Sequence, residues 1–370
     1  MNDLIYFFLP AIKAYDYSVT DKGYKFHQWF NSTLARTFTS RVHKLDTPWP
    51  MASTLCPLPA IVNNYQTFGD SIESIADRFC KETMQSGRVP YLAWSGGIDS
   101  TTILVSLLKV ASQDFLKKLV VLHNATSIIE NPYFYNRYID QKLQTQEIST
   151  FEITPHNYNN IIVLDGQCGN QCLTGMSISI NAYYSNFDLF DRDWKTIDNF
   201  STQVPQVPIL SEFSIELIKE SINYSPVPIN TVYDFLWWAA FNFRFDHGLL
   251  DKVLIYTKHL DRLQTQTFYN QGLYRFYAQP EMQSWSMSTV NERRVKTRTH
   301  SPKWHAKNYI YEFDHNDLWY STKKEEPSIT SKLNTDKVQT TIVAIDTQWN
   351  KYDIRDSTTR RMLGQILQKD

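Results

Sequence analysis

The sequence predicts an α/β fold, a parallel sheet followed by a C-terminal helical portion. Three observations carry that expectation. Short apolar runs alternate with stretches of helical periodicity from about residue 70 to about residue 165. Two of those runs, ending at Trp94 and at Leu164, break directly into polar loops that contain glycine. Beyond about residue 201 the alternation stops and longer helical stretches take over. Strands that alternate with helices fold as a parallel sheet, with ligands outside the carboxyl ends of the strands.

Taken in order, residues 1–65 form an aromatic-rich segment that exits through Thr47-Pro48-Trp49-Pro50 and Pro57-Leu58-Pro59, a proline signal for a boundary. Within it, Leu4 to Ile12 is apolar, short and preceded by Asp3, which reads as a buried strand rather than a signal peptide. Residues 66–200 are expected to hold the α/β core. Asp70 to Ser86 puts Ile72, Ile75, Ala76, Phe79 and Cys80 on one helical face. Asp70 with Glu73 makes a capping-box-like start, and Gly87 supplies the stop. Val89 to Trp94 reads as a strand, and Ile103, Leu104, Leu107 and Leu108 mark a helix to about Val110. Leu116 to Leu122 is the second strand. Pro132 opens a helix through Tyr138 to Leu143, and Phe151 to Thr154 and Ile161 to Leu164 are further apolar runs. In residues 201–330, Glu212 to Glu220 and Thr231 to Arg244 read as helices, the second apolar on nearly every side and therefore core. Residues 331–370 form an extension with a strand at Thr340 to Ile345 and a short helix at Thr358 to Leu367.

Lysine plus arginine, 37, nearly balances aspartate plus glutamate, 38, so charge gives no reason to expect nucleic acid or an anionic membrane as the main partner. No stretch approaches the length that spans a bilayer. Cys56, Cys80, Cys168 and Cys172 form no C-x-x-C pair and have no histidine knuckle, which argues against structural zinc and for reduced thiols. A cytoplasmic protein is the expectation.

The loop Ser95-Gly96-Gly97-Ile98-Asp99-Ser100 joins a strand to a helix. Its glycines let the main chain turn sharply and approach a ligand with no Cβ in the way. The amides of the helix's first turn and the helix dipole favour an anion there. Ser95, Ser100, Thr101 and Thr102 add hydroxyls, and Asp99 adds a carboxylate suited to magnesium riding on a phosphate. These six residues resemble the S-G-G-x-D-S signature of the PP-loop (N-type) ATP pyrophosphatases. The resemblance implies an adenine nucleotide alpha hydrolase-like sheet, ATP and Mg2+ as cofactors, and cleavage of ATP between its α and β phosphates. Its pyrophosphate contacts fall on Ser95, Gly96, Gly97, Ile98, Asp99, Ser100 and Thr101. The nucleoside is expected after the second strand, beside Leu122 and His123.

A second polar loop, Asp165-Gly166-Gln167-Cys168-Gly169-Asn170-Gln171-Cys172-Leu173-Thr174-Gly175, resembles the signature G-[ED]-G-x-D-E-x-x-x-G of asparagine synthetase-like synthetase domains. Gly166 and Gly175 keep their places, and Gly166 and Gln167 are read as nucleotide contacts. The three acidic positions fall on the amides Gln167, Asn170 and Gln171. An amide carbonyl ligates a hard cation without charge, so Mg2+ held by Asp99 and Asn170 is expected to bind more weakly, unless Asp165 substitutes from one strand position earlier. Gly272 to Trp285 resembles the family segment ending R-x-P-F-L-D, a proline-turned loop entering a helix beside the active site. Trp304 to Tyr311 and Asp317 to Glu325 resemble its K-x-x-L-R segment and a later lysine, which lands on Lys324 with Lys323 one place away. A lysine there neutralises charge as the P–O bond breaks, so Lys323, Lys324 and Asp99 are the catalytic candidates.

The resemblance implies an AMP-forming ligase that adenylylates a carboxylate and transfers it to ammonia or an amine. Asn2 stands where a glutaminase half would carry its cysteine, and residues 1–65 are too short to be that half. Ammonia is therefore expected from solution or a separate partner, or the substrate supplies its own amine. Two alternatives remain open. One is a nucleobase-modifying PP-loop enzyme, of the 7-cyano-7-deazaguanine synthase or tRNA-modifying kind. The other, which the three amides favour, is a nucleotide-binding protein without turnover.

Overall fold

The computed structural model describes residues 4–7, 39–42, 45, 52–60, 66–174, 187–198, 200–204, 212–289, 293, 303–321, 342–353, 355–359 and 361. Three short strands, β1 (Leu4–Phe7), β2 (Thr39–Ser40) and β3 (Ala52–Ser53), precede helix α1 (Phe68–Ser86). The cap of α1 lies three residues before the expected one. Thr67 accepts from the Asp70 amide, and the Asp70 carboxylate accepts from the Thr67 amide. Phe68 thereby joins the helix and its buried face. Gly87, at φ 69°, closes α1 in the left-handed conformation that a side chain resists.

The central sheet contains β4 (Val89–Ala93), β5 (Val120–His123), β6 (Gln144–Glu147), β7 (Ile161–Asp165) and β8 (Leu273–Arg275), with helix α2 (Ile98–Val110) following β4. Its order is β6-β5-β4-β7-β8 and every pair is parallel. Leu92 pairs with Val121 on one side and Leu164 on the other. Numbered along the sheet, this is the 3-2-1-4-5 arrangement of Rossmann-like α/β folds. The chain leaves β4 toward β5 and β6, then returns to place β7 on the opposite flank. The order reverses between the carboxyl ends of β4 and β7, the place where open α/β sheets form their ligand crevice.

The structure revises several elements. The second strand begins only at Val120, because Gln113–Leu116 forms a short helix capped by Ser112. Pro132 does start a helical stretch, but a π-helical turn at Tyr135–Ile139 ends it before Leu143. Phe151 to Thr154 is not a strand. Ile153 is buried there without strand pairing, and Phe151 packs on Tyr91 with ring centroids 4.8 Å apart. Polar β6, at the sheet edge, and three-residue β8 had no apolar pattern to announce them. Since β8 lies within residues 201–330, the helical portion supplies the fifth strand.

That portion includes α3 (Gly169–Leu173), α4 (Glu212–Ile222), α5 (Val232–Phe243), α6 (Phe245–Tyr256), α7 (Pro280–Ser288) and α8 (Trp304–Asp314). All twelve residues of α5 are buried, as its all-round apolar sequence requires. Pro280 sits in the first turn of α7, matching the expected proline-turned entry. At the chain's ends, β1 pairs antiparallel with β9 (Ile342–Asp346), and β10 (Lys351–Asp353) pairs with the other edge of β9. Thr340 and most of the expected helix at 358–367 lie outside the described residues. Among those described, no helix is long and apolar enough to cross a membrane.

Candidate functional site

The turn after β4 is shaped by its own hydroxyls. The Ser95 amide donates to Ser100 Oγ at 3.0 Å, the two hydroxyl oxygens lie 3.0 Å apart, and the Gly97 amide donates to Ser95 Oγ at 3.3 Å. Gly96 is obligatory twice over. Its φ is 72°, and a Cβ there would stand 2.3 Å from the Ser127 carbonyl oxygen and 2.8 Å from Glu130 Cβ. Gly97 caps α2 in extended backbone, and half-buried Ile98 is the first helical residue. Thr101 and Thr102 do not turn hydroxyls into the crevice as expected. Thr101 is fully buried and its hydroxyl accepts from Trp94 Nε1 at 3.1 Å, while Thr102 donates to the Ile98 carbonyl at 2.8 Å.

Every residue of β7 is buried, down to Asp165. One carboxylate oxygen of Asp165 accepts from the Gln167 amide at 3.0 Å, and the other is buried without a hydrogen-bond partner. Burial pushes this carboxyl above its usual range, opposed by the nearby Lys252 charge. Cys168 follows at φ 66°, a conformation that favours glycine, and it occupies the place of the second glycine in the resembled signature. Burial also pushes the Cys168 and Cys172 thiols up, which leaves both poor nucleophiles at neutral pH. All four cysteines are buried and free of disulfides.

The two loops meet on Asp99. A Cβ on Gly169 would stand 2.7 Å from the carboxyl carbon of Asp99, and one on Gly166 would stand 2.9 Å from its Cβ. Both glycines are therefore spaces into which Asp99 fits. From the other side, Lys303 Nζ donates to the two carboxylate oxygens at 2.6 and 2.5 Å. The Tyr277 hydroxyl donates to the Asp99 carbonyl at 3.0 Å, and Ser286 on α7 donates to the Cys172 carbonyl at 2.6 Å. The stretch from Tyr277 to Ser286 thus buttresses both loops.

Lys303 is the site residue that the sequence reading missed. It caps α8, one residue before the stretch compared with K-x-x-L-R. Starting that comparison at Lys303 puts Ala306 and Lys307 at the apolar and basic positions, which was the signal to find it. The expected lysines, Lys323 and Lys324, lie outside the described residues, as does Gly175.

One face of α6 lies along the second loop. Gln171 Nε2 donates to the Arg244 carbonyl at 3.4 Å, and Gln167 Oε1 rests against Gly248, where a Cβ would be 2.6 Å away. Lys252 and Tyr256 bring charge and hydroxyl near Asp165. Positions 244, 248, 252 and 256 recur every four residues, a single helical face. Gln167 and Gln171 are therefore held on α6, while Asn170 is half-buried at the start of α3. At the end of β5, Leu122 is fully buried and its carbonyl accepts from the Trp94 amide at 2.9 Å, so it scaffolds the sheet rather than lining the crevice. His123 is half-buried, with Nδ1 lacking a protein partner and its ring edge-on to Tyr135. Burial lowers its pKa, against the opposing charge of Glu147.

A protein-held Mg2+ does not fit these residues. Asp99 already carries the Lys303 ammonium, Asp165 is buried with an oxygen committed to Gln167, and Asn170 has no charge. Among the described residues no cluster of three or more histidine, cysteine or acidic side chains is arranged for a metal. No protein-family model matches this chain, and no curated protein matches it.

Proposed function

We propose that the crevice between β4 and β7 binds ATP, with a PP-loop type fold, and that the chain adenylylates a carboxylate before ammonia or an amine displaces AMP. The supporting observation is the pair of glycine loops that flank the reversal of strand order and interlock through Asp99. That crevice is where open α/β sheets bind ligands, and the head of α2 favours phosphate. A carboxylate oxygen attacks the α phosphorus, and the bridging oxygen leaves with pyrophosphate. The nitrogen nucleophile then attacks the acyl carbon, AMP leaves with the bonding pair, and the nitrogen sheds a proton. Lys303 supplies positive charge where pyrophosphate departs, and half-buried His123 lies on the nucleoside side.

One observation favours a second reading, binding without turnover. The Asp99–Lys303 pair and the three amides remove the acidic groups that the resembled signature would use. Exchange of labelled pyrophosphate into ATP, scanned over candidate acids, separates the two. Exchange with one acid supports ligation, and ATP binding without exchange supports the second reading. Exchange only with a nucleobase precursor would instead favour a nucleobase-modifying enzyme. On the ligase reading, Asp99→Ala abolishes exchange, because it releases Lys303 and empties the space between Gly166 and Gly169.

A further inference from the structure

We propose that Lys303 is the built-in counter-cation of this crevice, so that the chain binds the nucleotide polyphosphate without a divalent metal. This rests on the ATP-binding reading above. A metal in such a turn would bridge a carboxylate to phosphate oxygens. Here both oxygens of Asp99 receive one ammonium, at 2.6 and 2.5 Å. The opposite side of the carboxyl group lies on Gly169. An incoming metal would first have to expel Lys303.

Lys303 is placed by the fold. It heads α8, and α8 is fastened to α1: the Tyr309 hydroxyl donates to Glu73 at 3.0 Å, and its ring meets Phe68 edge-on at 5.9 Å. The lysine side chain is only 12% exposed. Asp99 and Lys303 cancel, and apart from Asp165, whose burial favours its neutral form, the second loop adds no acid to attract a dication. An anionic polyphosphate, by contrast, meets an Asp99 whose charge Lys303 has already neutralised, beside the head of α2. The amides at Gln167, Asn170 and Gln171 and the pairing of Lys303 with Asp99 act in the same direction, since both leave the crevice without a free acid for a metal and with its positive charge supplied by the chain.

Equilibrium dialysis of ATP against the full-length chain, with EDTA or with excess Mg2+, tests this. The expected result is affinity in EDTA within about threefold of that in Mg2+. Lys303→Met should lose about tenfold or more in EDTA and recover in Mg2+, because Asp99 is released to a metal. Lys303→Arg, which keeps the charge, should still bind in EDTA and serves if the methionine variant does not fold. Binding by the unaltered chain only with Mg2+ would overturn this inference and leave the ATP reading standing. Unchanged binding by Lys303→Met in EDTA would overturn it as well. No binding in either condition would overturn both.

Discussion

At the scale of single residues, Gly96 has the least freedom to change. Alanine there would be held at φ 72° with a methyl group 2.3 Å from a main-chain oxygen. We expect Gly96→Ala to cost roughly 1–3 kcal/mol or more, read from the urea midpoint; a midpoint that does not move would mean the turn is not built this way. His123 makes a pH prediction. Its folded pKa lies below the usual 6.5, so between those two values the unfolded chain holds a proton that the folded chain does not. Stability therefore rises as pH climbs through that window, and the cost is gone above it. His123→Gln should flatten the slope just below pH 6.5 in denaturation series at stepped pH. The turn was legible because its six residues are contiguous and their chemistry is local. Lys303 was legible only by starting the K-x-x-L-R comparison one residue earlier, and its pairing with Asp99, 204 residues away, was not legible at all.

At the scale of elements, the first helix shows how a cap is chosen. A hydroxyl at Thr67 and a carboxylate at Asp70 satisfy each other's amides. Glu73 instead accepts from Tyr309 and pairs with Lys109, so it serves packing between helices. Thr67→Ala should destabilise the chain by about 1 kcal/mol in thermal or urea unfolding. Equal stability would return the cap to Asp70. Long periodic helices were readable, since α1, α2 and α5 each carry their signal over three or more turns. Short elements were not. β6 spells Gln-Thr-Gln-Glu on a sheet edge, and β8 is three residues whose neighbours read as loop and helix. Their pairing comes from tertiary position, which overrides weak local preference.

At the scale of the whole molecule, segments distant in sequence share one core. Arg41 is buried among carbonyls: its guanidinium donates to Cys56 at 2.8 Å, Pro57 at 3.0 Å and Phe241 at 3.4 Å, and it also bonds the Gln283 side chain. Its charge lies over the rings of Phe241 and Phe245. Arg41→Met strands those acceptors and should cost about 3 kcal/mol, the upper end for a buried group left unpaired. Retained pyrophosphate exchange in the folded variant would show that the residue serves the fold alone. The α/β class was legible from alternation. The strand order was not, because the sequence carries no mark of which neighbour each strand takes.

The antiparallel pairing of β1 with β9 bears on how this chain is made. Leu4 is aligned with Asp346, so the first of these strands leaves the ribosome long before its partner exists. Until then its main-chain donors and acceptors stand open to any other strand, a known route to aggregation. Closing the sheet is a late event with a long loop to bring together, which slows folding. A nascent chain halted short of residue 342 would carry both glycine loops and Lys303 but no partner for its first strand.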